Sequence, residues 1–199
     1  MLTCAPAPDA LIDIHCVAPS IVLDIRYATD DNFTGEALYP VARCLLRRRV
    51  AEALAGVQAD LEKRGLGLML WDCYRPFSAQ ERLWARVPDR RYVARPVRNN
   101  GRPVSGSKHS RGAAVDATLV SAAGQPLTMP TGYDDFTPRA HRDAEVGPIA
   151  EKNRERLERA MVSHGFAPIA TEWWHFDAPG WRSYPLVDEP LVRPSRSQP

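Results

Sequence analysis

SGSKHSRGAAVDATL, Ser105 to Leu119, decides the reading of the chain. From Gly112 its residues alternate: Gly112, Ala114, Asp116 and Thr118 share one face, and Ala113, Val115, Ala117 and Leu119 share the other. That period of two predicts a strand whose second face packs on the core. Asp116 then looks out from a floor of tiny side chains with open space above it. His109, just ahead of a Ser-Arg-Gly bend, can fold back over the same floor. A structural salt bridge needs no such space, whereas a bound ion and substrate do. Zinc takes nitrogen and oxygen ligands from a pair of this kind, with a third protein ligand from elsewhere and a fourth position left to water.

The chain offers His15, His109, His141, His164 and His175. His164 ends a helical pattern, where a cation suits the last turn, so it reads as a helix-end residue. His175 stands out because Glu172 lies three residues before it, amid Trp173, Trp174 and Phe176. A metal-dependent hydrolase needs a general base beside the attacking water, and a carboxylate close to a ligand supplies one. TEWWHF, Thr171 to Phe176, is aromatic, is flanked by Pro168 and Pro179, and reads as a strand. Residues three apart on a regular strand face opposite sides. The strand is therefore expected to end, bulge or twist sharply between Glu172 and His175. One indole of the pair should enter the core and the other should wall the site.

With 199 residues, 44% of them hydrophobic, the chain can bury one sizeable core. No low-complexity linker divides it, and the expectation is one α+β domain with a core of about 20–187 and frayed ends. VARCLLRRRVAEALAGVQADLEKRG spaces Leu46, Val50, Ala53, Leu54, Val57 and Leu61 as one helix face and stops at Gly65. LGLMLWD follows as a buried strand. Ser78 and Glu81 have capping-box spacing, so a second helix starts near Ser78. PIAEKNRERLERAMVSHG places Ile149, Asn153, Leu157, Ala160, Met161 and His164 on one side of a third helix.

The net charge of +2 demands no polyanionic partner. Arg47, Arg48 and Arg49, and the arginines from Arg86 to Arg102, lack interleaved aromatics, so they read as a solvated face and nucleic acid is not expected. Cys4, Cys16, Cys44 and Cys73 form no CxxC pair and are expected to be reduced, structural thiols. No apolar run is long enough to span a membrane. MLTCAPAPDA lacks the features of a signal peptide, so a cytoplasmic protein is expected, or a periplasmic one if a leader has been removed.

SxHxxGxAxD, here Ser107, His109, Gly112, Ala114 and Asp116, together with ExxH at Glu172 and His175, resembles the zinc D-Ala-D-Ala peptidases of hedgehog-like fold. The D-alanyl-D-alanine dipeptidase family of the VanX type is closer still. DIRYATDDNFTG from Asp24, WDCYRP from Trp71, SKHSRGAAVDATL from Ser107, MPTGYDDF from Met129 and GFAPIATEWWHF from Gly165 look like its blocks in its order. Cys73, where that family usually has glycine, and Thr118, where it tends to leucine, depart from the pattern without touching a proposed ligand.

The resemblance implies a central antiparallel sheet packed by about three helices and one Zn²⁺ per chain. His109, Asp116 and His175 would hold the ion and Glu172 would be the base. Arg75, in a Pro-fixed turn, would stabilise the oxyanion, with Asp72 orienting it. Asp134 would receive the amino group of a small dipeptide, with Asp135 as the alternative one position on. Ser107 would line the pocket and Tyr27 would help to close it. The implied reaction is hydrolysis of free D-Ala-D-Ala. The competing readings are a D,D- or L,D-carboxypeptidase acting on peptidoglycan stem peptides and a non-catalytic zinc-binding module. The family serves both glycopeptide resistance and recovery of wall fragments, and neither that choice nor the oligomeric state is legible in the chain.

Overall fold

The computed structural model describes residue 7 and residues 9–192, so the expectation of frayed ends concerns residues outside the described set. Its regular elements are β1 (Leu11–Asp13), β2 (Val22–Leu23), β3 (Leu45–Arg47), α1 (Arg48–Glu62), β4 (Leu66–Asp72), α2 (Phe77–Arg86), β5 (Val97–Asn99), β6 (Arg102–Ser105), β7 (Ala114–Ser121), α3 (Pro148–Ser163), β8 (Ala167–Ile169) and β9 (Glu172–Asp177). A five-stranded sheet of order β2-β4-β7-β9-β8 forms the centre, while β1 pairs with β3 and β5 with β6. The chain is thus α+β with three helices among the described residues. The sheet is antiparallel, as expected, except at its β2 edge. β2 and β4 run parallel because α1 lies in the connection between them, and a parallel neighbour requires such a crossover.

α1 buries Val50, Leu54, Val57 and Leu61, the predicted stripe, and the chain leaves it through Gly65 at φ +69°. Leu46 is not part of that helix. It belongs to β3, where Ile12 pairs with it, because β1 offers backbone partners that a helix start could not use. Ile12, Ile14 and Leu191 are buried, so the packing reaches beyond 20–187.

α2 begins as expected near Ser78, but Pro76 occupies the cap position and makes no side-chain cap bond. The Ser78 N–H donates to Asp188 instead, and Glu81 pairs with Arg98. In α3 the inner face is Ala150, Asn153, Leu157 and Met161, and Ile149 is 66% exposed. Arg47 is no solvated residue: it is buried and donates to the carbonyls of Arg111 and Asp9. His164 caps the end of α3 and meets Asp60 at 2.9 Å.

The cysteines also differ from expectation. Cys44 and Cys73 form a disulfide, Cys16 is disulfide-bonded, and no cysteine among the described residues is free. Spacing along the chain carries no signal for this pair, since Cys44 and Cys73 lie 29 residues apart and meet only once β3 and β4 are placed.

Gly112 shapes the approach to the site. It ends the short turn His109–Arg111 at φ +66°, and a Cβ there would clash with a Leu11 methyl carbon. An alanine would carry both left-handed strain and that clash. Gly112→Ala is therefore expected to cost about 1–3 kcal/mol, read as a lower denaturation midpoint. An unchanged midpoint would contradict this account of the turn.

Candidate active site

The site grows from one row across the central sheet. Asp116 on β7 is flanked in register by Asp72 on β4 and His175 on β9. Cross-strand partners on one face sit roughly 5 Å apart at Cβ, so a separation of 59 residues becomes a direct contact. Two irregularities aim these side chains. The β4–β7 register shifts between Leu70 and Asp72, leaving Trp71 as an extra residue. On the other side, Pro168 pairs with Phe176 but Ile169 pairs with Glu172, so one step on β8 spans four on β9. Trp173, Trp174 and His175 bulge out of the ladder there, which breaks the alternation between Glu172 and His175. The Glu172 carboxylate consequently reaches within 3.9 Å of His175 Nδ1. Both indoles are buried: Trp174 lines the cleft, while Trp173 packs edge-on against Trp71 and donates to Thr131.

His109 folds back from its turn over Asp116. His109 Nε2 lies 3.2 Å from His175 Nδ1 and 3.5 Å from Asp116 Oδ1, and His175 Nδ1 lies 3.0 Å from the same oxygen. These three buried atoms face one point. Their outer contacts say what they offer it. His109 Nδ1 is 2.7 Å from the carbonyl of Cys73, which only accepts, so that nitrogen carries the hydrogen and Nε2 keeps its lone pair. His175 Nε2 is 2.9 Å from Asp177 Oδ1, so by the same logic it carries the hydrogen and Nδ1 keeps its lone pair. Tyr133 donates to Asp116 Oδ2, turning Oδ1 inward. Four ligands about 2.0–2.2 Å from a tetrahedral ion stand roughly 3.3 Å apart, which matches the spacing seen, and each ligand has the oriented outer partner such sites use. The His/Asp/His set fits a metal ion.

Charge at this point is tightly coupled. Burial alone would lower His175, but the carboxylates of Asp116 and Asp177 outweigh it and push it up to about 10. Burial would raise Asp116, yet His109 and His175 hold it far below the usual carboxylate range. A cation placed among the three donors would take over that stabilisation in place of the proton. Burial pushes the Glu172 carboxyl up from the ordinary glutamate value, while the neighbouring His175 opposes that rise.

Arg75 stands at the edge of the same cleft, 7% exposed. Its Nε and Nη2 donate to Asp72 Oδ2 at 3.0 and 2.5 Å, and its Nη1 donates to Gln80 at 2.7 Å. Asp72 is fully buried and takes further hydrogens from Tyr39 and from the Cys73 N–H. The guanidinium is thus held rigidly over the Tyr27 ring. Tyr27 donates to Asp134 at 2.9 Å, and Asp134 lines the cleft from a left-handed backbone at φ +56°. Burial and the nearby Asp116 push Asp134 well above the usual carboxylate range, a strain that an incoming ammonium would relieve. Asp135 faces elsewhere and caps the Thr137 N–H. Ser107 lines the cleft, and its Oγ accepts from the His109 N–H.

All nine predicted residues are thus brought to one cavity of about 330 Å³ or to its immediate support, near the lower end of ligand pockets at roughly 300–1,000 Å³. Four supporting groups escape the sequence reading. Asp177 shares the strand face of His175 two positions on, a period that could have found it. Tyr133 precedes Asp134 directly. Gln80 and the Cys73 carbonyl carry no local signal, because they reach Arg75 and His109 only through the fold.

A His/Asp/His trio that could hold a metal ion, a half-buried glutamate beside it and a fixed guanidinium in a small cleft are the parts that a metallopeptidase needs. The chain belongs to the D-Ala-D-Ala dipeptidase family, whose model it matches over residues 8–191. A D-alanyl-D-alanine dipeptidase of Escherichia coli K12 is 40% identical over 178 residues, 89% of this chain and 89% of that protein. One from Streptomyces coelicolor is 40% identical, covering 77% of this chain and 83% of its own. Another from Enterococcus faecalis is 36% identical, covering 84% and 86% respectively.

Proposed function

We propose that this metallopeptidase hydrolyses free D-Ala-D-Ala to two molecules of D-alanine, with one zinc ion held by His109, Asp116 and His175. The observation that carries the reading is the meeting of their three donor atoms at 3.0–3.5 Å beside Glu172. His109, Asp116 and His175 would hold the ion, which when bound would supply Lewis-acid chemistry for activating water and the peptide carbonyl. Glu172 takes the proton of the attacking water as the new C–O bond forms, and returns it to the nitrogen as the C–N bond breaks. Arg75 donates hydrogen bonds to the carbonyl oxygen while it gains charge. Asp134, positioned by Tyr27, accepts the substrate ammonium, and Ser107 lines the pocket floor. The preference for D-residues rests on the names of the relatives.

Asp134 separates this reading from a carboxypeptidase acting on stem peptides. A carboxylate that lines the cleft and is held above its usual range suits a free amine near the scissile bond. Asp134→Asn is expected to raise KM for the dipeptide about tenfold or more while leaving kcat less affected, as loss of one charge-assisted hydrogen bond implies. An unchanged KM would remove Asp134 from the substrate site.

The described cysteines favour the exported alternative for location. Cys16, Cys44 and Cys73 are all in disulfides, and such bonds persist in an oxidising compartment such as the periplasm. The cellular role is either removal of D-Ala-D-Ala before it enters wall precursors, which gives glycopeptide resistance, or recovery of wall fragments.

A further inference from the structure

We infer that the Cys44–Cys73 disulfide is a positioning device for the metal centre, so that full competence of the site depends on oxidation. The inference rests on the metal reading above and deepens it. Both half-cystines are buried and join the chain just before β3 to the chain just after β4. Cys73 stands where the sheet stops supporting the backbone. The β4–β7 ladder is already irregular after Leu70 and closes at Asp72. Beyond it, the segment is tied to its surroundings by backbone bonds from Tyr74 to Leu45 and from Arg75 to the His109 carbonyl.

Cys73 nevertheless carries two contacts on which the site turns. Its carbonyl accepts the Nδ1 hydrogen of His109 at 2.7 Å, which fixes the tautomer and the direction of the ligand nitrogen. Its N–H donates to Asp72 Oδ1 at 2.9 Å, and Asp72 grips Arg75 through Oδ2. A rotation of residue 73 would therefore turn a metal ligand and release the guanidinium together. The covalent link to Cys44 resists that rotation. Cys44 is itself anchored, since its carbonyl accepts from the Ile14 N–H. A dithiol reductant would open the bond by donating two electrons and two protons, giving two thiols and its own disulfide.

The test uses the full chain with Cys44→Ala/Cys73→Ala, and Cys16→Ala as a variant lacking the other disulfide. Zinc affinity is read by competition with a chelating dye, ligand geometry by the visible spectrum of the cobalt-substituted protein, and stability by Tm. The double variant should bind zinc about 10- to 100-fold more weakly, shift the cobalt bands and lose kcat with KM nearly unchanged. Cys16→Ala should lower Tm but keep wild-type zinc affinity and spectrum. A double variant that loses Tm yet keeps affinity and spectrum would overturn the inference. Should it not fold, wild type reduced by a dithiol and alkylated at every cysteine takes its place, and unchanged zinc affinity there overturns the inference equally. Failure of untreated wild type to bind zinc would refute the metal reading itself, and the inference with it.

Discussion

Glu172→Gln is expected to keep zinc and to lower kcat about 10²- to 10⁴-fold, with KM changed little. The amide has nearly the same shape as the carboxylate but cannot accept a proton from water. Because Glu172 lies beside His175 without filling a ligand position in the His/Asp/His trio, the metal should remain. The pH profile gives a second readout. Burial raises the Glu172 pKa above its ordinary value, and a base works only when deprotonated. Wild-type kcat/KM should therefore fall as pH drops through a value above the usual glutamate range, and the glutamine variant should lack that limb. Turnover near the wild-type level in Glu172→Gln would remove the general base from the mechanism.

Arg75→Lys tests the second charged group without leaving a buried charge alone. Arg75→Ala would strand Asp72, which is fully buried, and loss of one partner from such a pair costs about 3–5 kcal/mol of stability. Lysine keeps the charge for Asp72 but loses the planar fork that reaches Asp72, Gln80 and the cleft together. A fall in kcat of about 10²- to 10³-fold with a modest change in KM is expected, the loss typical of one missing oxyanion donor. A large rise in KM at unchanged kcat would make Arg75 a residue of substrate binding.

Much of this architecture is legible in the chain because it follows local rules. The alternation from Gly112 to Leu119 places Asp116 on the open face of β7, and the stripe from Val50 to Leu61 makes α1. Even the break in β9 follows from a conflict in EWWH, since two groups of opposite parity had to reach one point. The rest depends on partners distant in sequence. Leu46 is helical by spacing but becomes a strand because β1 lies beside it. Arg47 looks like a surface cation, yet carbonyls of residues 9 and 111 surround it. Cys73 pairs with Cys44 only through the placement of β3 against the end of β4, and the same placement brings its carbonyl to His109. Within the site, the candidate trio His109, Asp116 and His175 and the glutamate beside it stand out by residue type and spacing. Of their supports, Asp177 follows His175 by the strand period, whereas Gln80 reaches Arg75 only through the fold.

The most direct test of the account is hydrolysis by the zinc-loaded protein, and by the same protein stripped with a chelator, of D-Ala-D-Ala, L-Ala-L-Ala and N-acetyl-D-Ala-D-Ala. The account predicts one zinc per chain and release of D-alanine from D-Ala-D-Ala alone, lost on stripping and restored by zinc. Equal or faster cleavage of the N-acetyl compound would contradict the role of Asp134 and favour a carboxypeptidase, and zinc binding without cleavage of any of the three would leave a binding module in place of an enzyme.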